Sequence, residues 1–142
     1  MFKRILVPID ASETSRRALA YAQQLAALKG AQLRIVHVFD DVVYLHGFEY
    51  DSGALPAARA YAAQLLTDVA VEAHAAGAHV DKKLLEGSGR SLGEAVAEEA
   101  RAWNADLVVV GSHGRRGIGR AILGSGAEQV IRLAPVPVLV VR

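Results

Sequence analysis

Gly111-Ser112-His113-Gly114, nine intervening residues and then Gly124-Ser125 are the residues of this chain best suited to chemistry. They leave an apolar run, Asp106-Leu107-Val108-Val109-Val110, and end where a helix is expected to begin. A glycine-rich loop between a buried strand and a helix start presents unhindered N–H groups and a positive helix terminus to an anion, most often a phosphate. Gly114 and Gly124 lack a Cβ, so the backbone can touch a phosphate there. Ser125 is expected at the N-cap of the last helix, where the dipole also favours an anion. A cap alone contributes about 1 kcal/mol, and the two roles are compatible.

Other polar residues have two readings each. Asp10 follows an apolar strand and can bind a ribose hydroxyl or a metal bridging phosphates, or it can cap the first helix through Glu13. His113 suits a loop-stabilising role better than catalysis. Arg115, Arg116 and Arg120 can pair with phosphate, though arginines in a loop are commonly just solvated.

Sharper motifs fail on inspection. Gly119-Arg120-Ala121-Ile122-Leu123-Gly124-Ser125 has the glycine spacing of a P-loop but not its lysine, so efficient hydrolysis is not expected. Gly87-Ser88-Gly89-Arg90-Ser91-Leu92-Gly93 has its last glycine displaced from the dinucleotide fingerprint and reads as a loop with a helix cap. His37, His46, His74, His79 and His113 show no metal-ligand spacing, so no metal centre and no catalytic residue is assigned. A receiver-type switch would want an acidic pair after the first strand and a lysine after the last, where only Asp10 and Arg142 stand.

Composition frames these residues. The chain has 142 residues, 52% hydrophobic and 22% charged, which suits one compact domain over residues 1–142. A net charge of +1 makes no strong field, so no nucleic-acid partner is expected. There are no cysteines and hence no disulfides or thiolate sites. The apolar run near the start, Ile5 to Ile9, is too short for a signal core or a membrane span, so a cytoplasmic protein is expected.

The elements that must position the loop alternate. Strands are expected at Ile5–Ile9, Leu33–Phe39, Val80–Leu85, Val108–Gly111 and Val136–Val141. Helices are expected from Glu13 to Gly30, over Ala57–Ala76, over Leu92–Trp103 behind the capping box Ser91/Glu94, and from a second box, Ser125/Glu128. Lys82 and Lys83 suit a sheet edge for the third strand. Such βαβαβαβαβ alternation implies a five-stranded parallel sheet in a three-layer α/β/α sandwich, Rossmann-like, with ligands outside the carboxyl ends of the strands. The long connection Asp40 to Pro56 can fold over a ligand, form an outer surface, or lack order.

Ile5-Leu6-Val7-Pro8-Ile9-Asp10, Ile35-Val36-His37-Val38, the Gly-x2-Gly-x9-Gly-Ser spacing and the tail Pro135-Val136-Pro137-Val138-Leu139-Val140-Val141 together resemble the universal stress protein family over essentially the whole chain. The glycine spacing is similar to that of the family's ATP-binding members, which belong to the adenine nucleotide α-hydrolase-like fold group. The resemblance implies that Pro8, Ile9 and Asp10 line a nucleotide pocket and that Val38 offers its backbone to adenine. It implies that Gly111, His113, Gly114 and Arg115 approach the ribose and phosphates, and that Gly124, Ser125 and Gly126 hold the phosphate tail. ATP would bring Mg²⁺ or Mn²⁺ on its phosphates. Gly126 stands where the family often has a bulkier residue, which implies a more mobile loop.

The last strand carries almost no charge to guard an edge, and the resemblance supplies the cover, a homodimer paired through this strand. Three functions remain open. One is an ATP-binding module whose nucleotide state alters contact with an unidentified regulatory protein. Another is a nucleotide-independent stress scaffold, which would not need the intact glycine spacing. The third is a slow ATPase, although Asp10-Ala11-Ser12 is not the Ser-Gly-Gly loop of the pyrophosphatase-type relatives.

Overall fold

Strand β1 (Arg4–Pro8) lies at the centre of the molecule, between β2 (Gln32–Phe39) and β4 (Leu107–Gly111). The computed structural model describes residues 2–40, 53–113 and 123–142. Its sheet has the order β3-β2-β1-β4-β5, with β3 at His79–Glu86 and β5 at Val138–Val141, and every pairing is parallel. Register is continuous along β1, with Leu6 opposite both Arg34 and Val108. The lysine-bearing β3 occupies one edge as expected, and β5 occupies the other.

Helix α1 spans Glu13–Lys29, α2 Ala54–Ala75, α3 Leu92–Ala102 and α4 Ser125–Leu133. Because side chains alternate across a strand, the two faces of the sheet feed separate cores. Ile5, Val7, Leu33, Ile35 and Val109 pack with Ala18, Ala22 and Leu66 beneath α1 and α2. Leu6, Val36, Val108 and Val110 pack with Val96 and Val130 beneath α3 and α4. Right-handed crossovers give this division, since the chain moves outward from β1 to β3, then jumps across to β4 and β5.

Most element boundaries shift by one residue from expectation, and three of the differences have a specific cause. α2 begins at Ala54, so Leu55 and Pro56 lie in its first turn, where a missing N–H costs nothing. Strand β5 begins at Val138, because Pro137 has no N–H to give, although its carbonyl accepts from Val108 at 3.0 Å. The capping box at Ser91 and Glu94 is formed in both directions, at 3.2 and 2.8 Å. The one expected at Ser125 and Glu128 is not: Gly124 is the N-cap and Ser125 the first helical residue. The Gly124 N–H is held by the Ser112 carbonyl at 2.7 Å, and this fixes the helix start one residue earlier.

Candidate functional site

Where strand order reverses, between β1 and β4, the connections after the two strands diverge and leave a crevice at their carboxyl ends. After β1 the chain turns sharply. The Asp10 carboxylate accepts from the Ser12 N–H at 2.7 Å, and the Ser12 hydroxyl caps α1 by accepting from the Ser15 N–H at 3.2 Å. The cap of α1 is therefore Ser12, and Asp10 braces the turn in front of it. The buried Ser15 hydroxyl donates to the Asp10 carbonyl at 2.8 Å, locking this turn against the helix.

After β4 the chain is tied on three sides. The Ser112 N–H donates to the Val141 carbonyl at 2.7 Å, the Ser112 carbonyl accepts from Gly124, and the Thr14 hydroxyl donates to the His113 carbonyl. Such close approaches demand glycine. A Cβ on Gly111 would stand 2.7 Å from the backbone of Thr14, and one on Gly124 would stand 2.8 Å from the Cα of His113. The missing Cβ of Gly124 admits the 112–113 backbone.

A cavity of about 640 Å³ fills the crevice. It is lined by Pro8, Ile9 and Asp10 from the β1 end, Val38 from β2, Gly111 and His113 from the β4 end, and Gly124, Ser125 and Gly126 from the start of α4. All of these were expected at the site. Gly114 and Arg115, also expected there, lie outside the described residues, as do Arg116, Arg120 and residues 41–52 of the long connection. Gly126 is not in a loop: it belongs to the first turn of α4, and a Cβ there would meet the Leu92 side chain at 2.7 Å. It allows α4 to sit close against the start of α3.

Ser125, Gly126 and Ala127 occupy the first three helical positions of α4, whose N–H groups have no intrahelical acceptor; the first such bond is from Glu128 to the Gly124 carbonyl at 3.0 Å. All three residues line the cavity, so the positive end of the dipole opens into it. Gly124, the N-cap, has no side chain to cap with, and among the described residues the Ser125 hydroxyl has no hydrogen-bond partner, which leaves it available to a ligand.

Residues that sequence reasoning did not place here complete the opposite side. His37 lines the cavity with its Nδ1 2.8 Å from the Ile9 carbonyl, and Asp40 lines it too. Val110 and Leu92 add apolar surface, and Gly87 and Arg90 come from the loop after β3. Val110 was accessible from strand parity, as the last side chain of β4 on the face of Val38. The 87–93 segment was recognised only as a loop and cap; it is that, and it is also a wall of the cavity. Among the described residues, no cluster of three or more histidine, cysteine or acidic side chains is placed to hold a metal, and no helix is long and apolar enough to cross a membrane.

Comparison with known proteins agrees with this architecture. The sequence model of the universal stress protein family matches residues 1–142. A universal stress protein from Thermus aquaticus is 35% identical over the full length of both chains. The structure of a universal stress protein family member from Burkholderia pseudomallei is 30% identical, with a TM-score of 0.78 over 99% of this chain and 96% of that one. Another, a universal stress protein in complex with cAMP, is 26% identical with a TM-score of 0.74 over 99% and 97%. With the family pattern matched from end to end and the five-stranded parallel fold in place, this chain belongs to the universal stress protein family.

Proposed function

We propose that this chain is a cytoplasmic ATP-binding regulatory module, working as a homodimer through β5, whose nucleotide state alters its contact with a protein partner. The observation that carries the reading is the pairing of two chemistries in one cavity. N–H groups without an intrahelical acceptor open the start of α4 at Ser125 and Gly126, and apolar surface from Ile9, Val38, Val110 and Leu92 lines the same 640 Å³. The first suits a polyphosphate and the second a flat base, and the volume lies in the range of ligand pockets, roughly 300–1,000 Å³. The relative in complex with cAMP supports an adenine nucleotide as the class of ligand.

The cavity binds rather than turns over. No lysine lines it among the described residues, and one oxygen of Asp10, its carboxylate at the β1 end, is occupied by the Ser12 N–H. Mg²⁺ or Mn²⁺ would arrive on the phosphates of ATP. Mass spectrometry of the nucleotide released from denatured protein, followed by calorimetry with ATP and Mn²⁺, tests the reading. Released ATP and a saturable isotherm are expected; no released nucleotide together with no heat of binding would overturn it.

A further inference from the structure

Arg90 lines the cavity yet does not have the hydrogen-bonding freedom of a phosphate ligand. Its Nε donates to the Gly87 carbonyl at 3.1 Å and its Nη2 to the Glu86 carbonyl at 2.7 Å, while its Nη1 is bonded to the Glu98 carboxylate. The loop is folded to permit this, with Ser88 and Gly89 both at positive φ and the Arg90 N–H closing a turn on Gly87 at 2.9 Å. A guanidinium bonded at all three nitrogens is fixed in orientation, and Glu98 offsets its charge. Each Nη keeps one further N–H, and besides these the group offers a ligand its flat face. Val38, Leu92 and Val110 give the same cavity an apolar part, and the N–H groups at the start of α4 give it an anion-attracting one.

We infer that Arg90 is the base-stacking residue of the site, closing one face of the nucleobase against the apolar wall while Glu86, Gly87 and Glu98 hold its guanidinium plane in place. This rests on the nucleotide reading above and extends it. The ligand it selects is a nucleotide with an intact aromatic base, in preference to a phosphate chain alone. Planar guanidinium groups stack on aromatic faces, a contact that an ammonium group cannot reproduce because it has no plane.

Calorimetry with ATP and with inorganic tripolyphosphate, on wild type, Arg90→Ala, Arg90→Lys and Glu98→Gln, provides the test. Arg90→Ala is expected to weaken ATP about tenfold, in keeping with loss of one stacking contact, and to leave tripolyphosphate within about twofold. Arg90→Lys should not restore ATP affinity, and Glu98→Gln, which loosens one anchor, should fall between wild type and Arg90→Ala. Equal loss of both ligands in Arg90→Ala, full rescue by lysine, or unchanged ATP affinity would each overturn the assignment. Wild type that holds tripolyphosphate as tightly as ATP has no base subsite, which overturns the inference and leaves the anion end standing. Wild type that binds neither ligand overturns the nucleotide reading itself.

Discussion

The Ser112 N–H and the Val141 carbonyl meet at 2.7 Å, joining the first residue of the candidate phosphate loop to the last residue of the edge strand. One side of β5 is paired with β4; the other is a sheet edge among the described residues. Whatever covers that edge therefore sits one hydrogen bond from the candidate phosphate loop.

The facing of side chains along β5 decides which substitution tests a strand-paired dimer. Val138 and Val140 pack against the core beneath α3 and α4, whereas Leu139 is 38% exposed. Leu139→Asp is expected to yield a folded monomer in sedimentation at tens of micromolar where wild type is a dimer, with ATP affinity largely kept. Val140→Asp should lose about 2 kcal/mol or more of folding stability, because it brings a charge to the core. A wild-type monomer, or a Leu139→Asp dimer as tight as wild type, would mean that the edge is covered in another way.

Ser125 separates ligand binding from capping. As the first helical residue it makes no capping bond, so Ser125→Ala should change the denaturation midpoint by less than about 0.5 kcal/mol equivalent. Ser91→Ala, which breaks a formed capping box, should cost about 1 kcal/mol. ATP affinity is expected to fall in Ser125→Ala and to stay unchanged in Ser91→Ala. A stability loss at Ser125 as large as at Ser91 would restore a capping role.

The parallel alternation, the helix layers on both faces and the two edge strands were legible because the short apolar runs at Ile5, Leu33 and Val108 are separated by helix-length segments with recognisable stops; the order of the strands was not. The β1, β4 and α4 sides of the cavity were legible through Asp10, Gly111 and Ser125, which sit at or just past strand ends or at a helix start, and the β2 side only through the family resemblance that names Val38. The position of Arg90 was not. Its placement depends on side-chain bonds to carbonyls of its own loop and to Glu98, eight residues on, and no spacing rule encodes these. The cap at α4 was misplaced for a similar reason: a tertiary bond from Gly124 to Ser112 decided between two adjacent capping residues.

Gly111 and Gly124 should respond through packing before ligand contact. A Cβ at Gly111 meets the Thr14 backbone, and one at Gly124 meets His113. Gly111→Val should therefore destabilise the protein by about 1–3 kcal/mol, because overpacking at backbone contacts cannot be relieved by a rotamer change. Gly124→Val should displace the 112–113 segment and abolish ATP binding in calorimetry. Retention of wild-type affinity and stability in both variants would show that the loop yields freely.

Glu99 is a buried carboxylate shared between two cations. Its side chain is only 5% exposed and bonds Arg34 at 2.7 Å and Lys83 at 2.9 Å, while Arg34 also pairs with Asp81 and lies 4.6 Å from the centre of the Trp103 ring. Removing the buried carboxylate leaves Arg34, itself mostly buried, with one acidic partner in place of two. Loss of one member of a buried pair costs roughly 3–5 kcal/mol; the half-exposed Lys83 and the remaining Asp81 reduce this, so about 2 kcal/mol is expected for Glu99→Gln. Lys83→Ala removes only the solvent-screened arm and should cost less than about 1 kcal/mol. Trp103 is the single tryptophan and stands at this network, so its emission reports unfolding in urea. Equal midpoints for Glu99→Gln and Lys83→Ala would show that burial adds nothing to the Arg34 pair.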